Sequence, residues 1–165
     1  MSDYCVVVAD GERARLFTLE AAAVKGVEGG PNLVEQSTLV NPEWGRGGQE
    51  VWANAKSGRN QARGGGSAHG YDDHRSQHED EFLRRFGKLV VDAALRMCRE
   101  RRVGHLVLVA GTRMLGVVRN ELQVPAGEQL AVHEVAKDLA QLSAREIHEH
   151  LGGNGALPRR KKATV

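Results

Sequence analysis

Aromatic residues make up only 4% of this 165-residue chain, two Trp, two Tyr and three Phe. A core must therefore be assembled from aliphatic side chains, and a hydrophobic content of 41% suffices for one domain of this length. Long apolar runs are missing: none approaches the roughly eighteen residues that span a bilayer. The start of the chain carries Asp3 and neither a basic segment nor an A-x-A pattern, so no secretory signal is expected. Cysteine is scarce, with Cys5 in a strand-like run and Cys98 on a helical one. Two such cysteines read as reduced, semi-buried apolar residues rather than a disulfide. Together these absences predict a cytoplasmic protein without a membrane partner.

Motifs of familiar enzymes are also lacking. There is no Ser-His-Asp, P-loop, Rossmann or Cys-x-x-Cys pattern. Asp10, Asp92 and Asp138 have no paired carboxylates at a spacing that would hold metals for nuclease chemistry. His69, His74 and His78 fall within ten residues, the last two at i,i+4, but no matching cluster occurs elsewhere except His148 and His150, which two-residue spacing on a helix sends to different faces. The first three read as a solvated polar helix start rather than a metal site. No metal and no cofactor are expected.

Charge of one sign is not dominant. The net charge is +2, and Arg159, Arg160, Lys161 and Lys162 supply four of the 23 basic residues. Without them 19 basic residues face 21 acidic ones, a balance of −2, so the body is not a basic protein and binding to DNA is not expected. Residues 153–165 read as a disordered basic tail, able at most to attract phosphate without specificity.

What is present begins with Tyr4 to Ala9, a nearly continuous apolar run and hence a buried strand. Asp10-Gly11 is a tight-turn dipeptide, and Arg13 to Glu20 alternates as a half-exposed strand, completing a hairpin. Leu33 to Val40 alternates again as a third strand, ended by Asn41-Pro42. Asp72 to Arg102 is helical, with Phe82, Phe86, Leu89, Val90, Ala93, Ala94 and Met97 on one stripe. His105 to Ala110 is a second buried run, central and parallel. Arg113 to Leu122 is a short helix, Leu130 to Val135 a last strand, and Asp138 to Leu151 a final helix with Leu139, Leu142, Ile147 and Leu151 inward. The order β-β-β-loop-α-β-α-β-α predicts an α/β fold over residues 1–152, a mixed five-stranded sheet with three helices packed on it.

The segment from Asn41 to Gly70 has no packing pattern, and loops of that length are functional or disordered. It holds Gly45-Arg46-Gly47-Gly48-Gln49, then Arg59, then Arg63-Gly64-Gly65-Gly66-Ser67. The glycines let the backbone approach a substrate closely, and Gln49 offers an amide that could orient water toward an ester. Gly64, Gly65 and Gly66 lie where backbone amides near a helix start could meet a phosphate, although Asp72 and Asp73 oppose an anion there. Asp10 follows the first strand, while Arg113 and Arg119 follow the central one. Ligands of α/β sheets bind at such carboxyl ends, so these three are candidate ligand contacts.

Val6-Val7-Val8-Ala9-Asp10-Gly11-Glu12-Arg13-Ala14-Arg15-Leu16-Phe17 resembles the opening of the bacterial host attachment protein family. Further matches are Ser57-Gly58-Arg59, Phe82 to Leu95, Leu106 to Ala110, Arg113-Met114-Leu115-Gly116-Val117-Val118-Arg119 and Val135-Ala136-Lys137-Asp138-Leu139. The resemblance covers residues 3–151 and rests on the order and spacing of these matches. It implies a ribonuclease-H-like α/β sandwich similar to the middle domain of archaeo-eukaryotic peptide-chain release factors. In those factors Gly-Arg-Gly-Gly-Gln-Ser immediately precedes the long helix and serves peptide release. Here Arg63-Gly64-Gly65-Gly66-Ser67 takes that place, with Gly66 where the glutamine would be, and the literal Gly47-Gly48-Gln49 comes much earlier. The resemblance thus implies a factor that contacts the ribosome or tRNA through residues 41–70 rather than a release enzyme. Two other readings remain: a peptidyl-tRNA ester hydrolase using Gln49, and an interaction protein whose loop binds a protein partner.

Overall fold

The computed structural model describes residues 3–44, 68–124 and 127–164, apart from the side chains of 68–77 and 79. Five strands form one sheet in the order β3-β2-β1-β4-β5. They are β1 (Tyr4–Ala9), β2 (Arg13–Glu20), β3 (Asn32–Val40), β4 (His105–Ala110) and β5 (Ala131–Ala136). Among the described residues the helices are α1 (Ala68–Arg101), α2 (Thr112–Glu121) and α3 (Ala144–Gly153). The expected α/β class, the mixed five-stranded sheet and the three helices are all present.

The two continuous apolar runs lie at the centre of the sheet, as their composition requires. β1 pairs antiparallel with β2 and parallel with β4, in a register that sets Ala9 beside Ala110. Alternate residues of β1 and β4 feed opposite faces. Cys5, Val7, Leu106 and Leu108 pack under α1 and α2, whereas Val6, Val8, Val107 and Val109 pack under α3. A strand buried on both faces has no polar position to spare, which is why these runs do not alternate.

Helix α1 is 34 residues long, about 51 Å at 1.5 Å per residue. It begins four residues before the expected Asp72. Its buried stripe is Phe86, Val90, Val91, Ala94, Leu95 and Cys98. Leu89, expected on that stripe, is 47% exposed. The stripe turns one position because α2 crosses at Gly87, where an added Cβ would lie 2.8 Å from Val117 Cγ1. Only glycine lets the two helices come this close. The helix ends at Arg102, whose φ of 53° is left-handed, and Val103 N–H donates to Cys98 O at 2.9 Å.

Two expectations at the carboxyl end are corrected. The final helix starts at Ala144, not Asp138. Ser143 caps it by accepting from Glu146 N–H at 3.2 Å, and Glu146 Oε1 reaches back to Ser143. Nor is the basic tail disordered, because residues 154–164 return along the α3 face. Leu157 is buried beside Ile147 and Leu151, and its N–H donates to Leu151 O at 3.1 Å. Gly30 and Lys161 exchange two backbone hydrogen bonds of 3.0 and 2.9 Å. Read as composition, the segment is a run of charge; Leu157 and the main-chain pairing with Gly30 fasten it.

Candidate functional site

Residues 45–67 connect Trp44 to α1 in the sequence. Their point of departure is built with care around the turn after β1. Asp10 Oδ1 accepts the N–H groups of Glu12 and Arg13, both at 2.8 Å, and Asp10 N–H donates to Arg13 O at 2.9 Å. Asp10 thus closes the β1–β2 turn, as a short carboxylate ahead of glycine does. Asn41 joins this turn to the end of β3. It is buried, and it donates from Nδ2 to Gly11 O at 3.0 Å and from its backbone to Glu12 O at 2.7 Å. Its Oδ1 accepts Glu43 N–H at 3.1 Å, and its carbonyl accepts Trp44 N–H at 3.2 Å. A buried amide with every one of these groups partnered fixes the local backbone.

Trp44 lies over Gly11. A Cβ on Gly11 would fall 3.0 Å from the indole Cζ3 and 3.1 Å from Leu83 Cδ2 of α1. Gly11 therefore keeps open a notch in which the indole is held between the turn and the long helix. Arg85, half a turn further along α1, lies 3.4 Å from Glu43 Oε2. That oxygen accepts no hydrogen bond among the described residues, so the contact is ionic rather than hydrogen-bonded.

Arg113 sits at the first turn of α2, beyond the carboxyl end of β4, and its Nη2 donates to Asp80 Oδ1 at 2.7 Å. Asp80 precedes Leu83 by three residues, so the two lie on the same side of α1 about one turn apart. The N-terminus of α2 begins here after Gly111, which supplies no side-chain cap. Two of the three candidate ligand contacts, Asp10 and Arg113, thus share one end of the sheet. The third does not: Arg119 forms a two-pronged pair with Glu134 of β5, at 2.6 to 3.0 Å. The hydrogen bond from Arg119 holds the Glu134 carboxyl below its ordinary pKa.

Gln49, Arg46, Gly47, Gly48, Arg59, Arg63, Gly64, Gly65 and Gly66 lie outside the described residues, as do the side chains of His69 and His74. Among the described residues no three His, Cys, Asp or Glu side chains gather as metal ligands. Cys5 and Cys98 are both buried thiols. Cys5 Sγ donates to Met97 Sδ at 3.7 Å, and the neighbouring Cys98 thiol together with burial pushes the Cys5 thiol far up, so it stays protonated. Among the described residues, the notch thus offers a rigid anchor and a balanced set of charges. Asn41, Trp44 and Leu83 were not singled out by the sequence. The adjacent pair Asn41-Pro42 signalled only the end of a strand.

A family model described as "Protein required for attachment to host cells" matches residues 5–151. No curated protein matches the chain.

Proposed function

The chain belongs to the family of proteins required for attachment to host cells, and within it we propose a cytoplasmic factor that contacts RNA of the ribosome or tRNA through residues 41–70. The observation that carries this reading is the anchoring of Trp44 in the notch formed by Gly11 and Leu83. The anchor gives segment 45–67 a fixed origin, and α1 gives it a rigid second support. Between those supports the sequence places Arg46, Lys56, Arg59 and Arg63 against Glu50 alone. A cationic segment rich in glycine can follow a phosphate backbone closely. The pairs Arg85–Glu43 and Arg113–Asp80 are each neutral, and the early turns of α1 are acidic at Asp72, Asp73, Glu79 and Glu81, so the excess positive charge proposed to meet phosphate is that of the segment's own four cations.

Among the described residues no group in the notch is arranged to activate a nucleophile, and Gly66 stands where the release-factor glutamine would be; the role proposed is binding without ester hydrolysis. An influence on attachment to host cells is then indirect, exerted through translation. The chain and a variant lacking residues 45–66 are to be sedimented with purified ribosomes at low and moderate salt. Loop-dependent binding that persists at moderate salt supports the proposal. Equal sedimentation of both proteins, or of neither, refutes it and favours a protein partner.

A further inference from the structure

Seven arginines of the described body pair with carboxylates, from Arg119–Glu134 at 2.6 Å to Arg101–Glu20 at 3.6 Å. At the end of α3 cations without such a partner gather round one cleft. There the returning chain closes a cleft of about 410 Å³ whose lining includes Arg145, His148, Glu149, Arg159, Arg160 and Lys162. None of its four Arg and Lys side chains has a carboxylate partner among the described residues. Repulsion among four cations round one cleft is a cost that an anion would remove.

The cleft is built rather than incidental. His148 is buried and donates from Nε2 to Pro158 O at 2.8 Å, which holds the returning chain against α3. Arg159 Nε donates to Gly152 O at 3.2 Å, and Arg160 Nε donates to Asn32 Oδ1 at 2.7 Å. Each guanidinium is thereby oriented through Nε, and the terminal nitrogens of both make no hydrogen bond to described residues. Arg160 also lies flat against Gly29, where an added Cβ would sit 2.7 Å from Nη2. Oriented guanidinium groups suit the geometry of phosphate oxygens. Glu149 is an acceptor among these cations, and in a site for an anion its natural partner is a hydroxyl. The volume lies within the range of small-molecule sites.

We propose that the cleft between α3 and the returning chain 158–162 binds a phosphate-bearing ribonucleotide, with Arg145, Arg159, Arg160 and Lys162 on the phosphate and Glu149 on a sugar hydroxyl. The site is on the opposite sheet face from α1 and does not depend on the role of segment 45–67. The nucleotide can be free or the 5′ end of an RNA.

Three probes separate these sources: inorganic phosphate, ADP and a 5′-phosphorylated RNA hexamer, each titrated calorimetrically into the full chain. Arg145→Gln and Lys162→Gln are the informative variants, because neither side chain makes a hydrogen bond or ion pair to a described residue and the thermal midpoint should not move. Arg84→Gln, an exposed cation of α1, is the control. ADP or the hexamer is expected to bind saturably, more tightly than phosphate alone, with about a tenfold loss in each cleft variant, as for one charge-assisted hydrogen bond. Binding by the hexamer but not ADP assigns the site to RNA ends. No saturable binding of either nucleotide probe, or equal weakening by Arg84→Gln, overturns the proposal.

Discussion

Arg15 of β2 donates from Nη1 to the Leu142 carbonyl at 2.6 Å, across 127 residues of chain. The same nitrogen reaches Ala140 O at 3.1 Å, and the rest of the guanidinium pairs with Glu35 of β3 at 3.0 Å. One side chain, only 14% exposed, therefore ties the β2–β3 hairpin to the turn that leads into α3. Lysine cannot reproduce this, because its ammonium is a single point charge without the planar fork. Arg15→Lys is expected to cost about 2 kcal/mol, a loss of roughly 4–8 °C in thermal midpoint. Differential scanning calorimetry checks this; an unchanged midpoint would mean that the clamp contributes nothing.

The partner of Arg15 sets an acid dependence. Hydrogen bonds from Arg15 and Thr38 hold the Glu35 carboxyl below its ordinary value of 4.5. A carboxyl whose pKa is depressed on folding stabilises the native state above the unfolded value and loses that effect as pH falls through the folded one. Glu35→Gln should therefore melt lower than the parent at pH 7, and the gap should close as pH drops below about 4.5. Parallel melting curves from pH 7 to 3 test the sign. A gap that widens in acid would contradict it.

Leu157 is the test of the ordered carboxyl end. It is 4% exposed in the cluster with Ile147 and Leu151. Leu157→Ala should destabilise the protein by about 2–4 kcal/mol, as other buried leucine truncations do. A chain end that hung in solvent would show no change in urea denaturation. Hydrogen exchange at Lys161 N–H, which donates to Gly30 O at 2.9 Å, should be protected in the parent and faster in the variant.

Gly11 should be sensitive in a different way. Valine at this position would crowd the Trp44 indole, which lies 3.0 Å from the position of an added Cβ. Overpacking of this kind costs about 1–3 kcal/mol. In a Trp52→Phe background Trp44 is the sole indole, so Gly11→Val should shift its emission to the red. It should also weaken RNA contact, because the segment loses its fixed origin. An unshifted spectrum would show that the indole tolerates the substitution.

How far the sequence disclosed this molecule depended on whether a feature was local. β1 and β4 were legible because a strand buried on both faces has to be apolar throughout, and the bounds of β1, β2 and β4 agree residue for residue with the structure. The outward turn of Leu89 was not legible, since it depends on the crossing of α1 and α2 at Gly87. The order of residues 154–164 was hidden for a similar reason: charge composition describes solvation, whereas Leu157 and the Gly30–Lys161 pairing are long-range contacts. At the candidate site, Asp10 was found as a turn residue with chemical capacity, and its hydrogen bonds show the turn. Asn41 was missed because a side-chain amide that joins two distant turns has no sequence signature beyond its type. Arg119 was grouped with Arg113 by proximity in the chain, but six residues along a helix carry it away to Glu134.

The central claim is that the cations of segment 45–67 meet RNA phosphates. The most direct measurement is the salt dependence of ribosome binding by the parent and by the triple variant Arg46→Gln, Arg59→Gln, Arg63→Gln. Each lost phosphate contact lowers the slope of log K against log salt by about 0.7–0.9. The account predicts a slope shallower by roughly 2–3 in the triple variant, with weaker binding at every salt concentration. Identical slopes and affinities in the two proteins would contradict it.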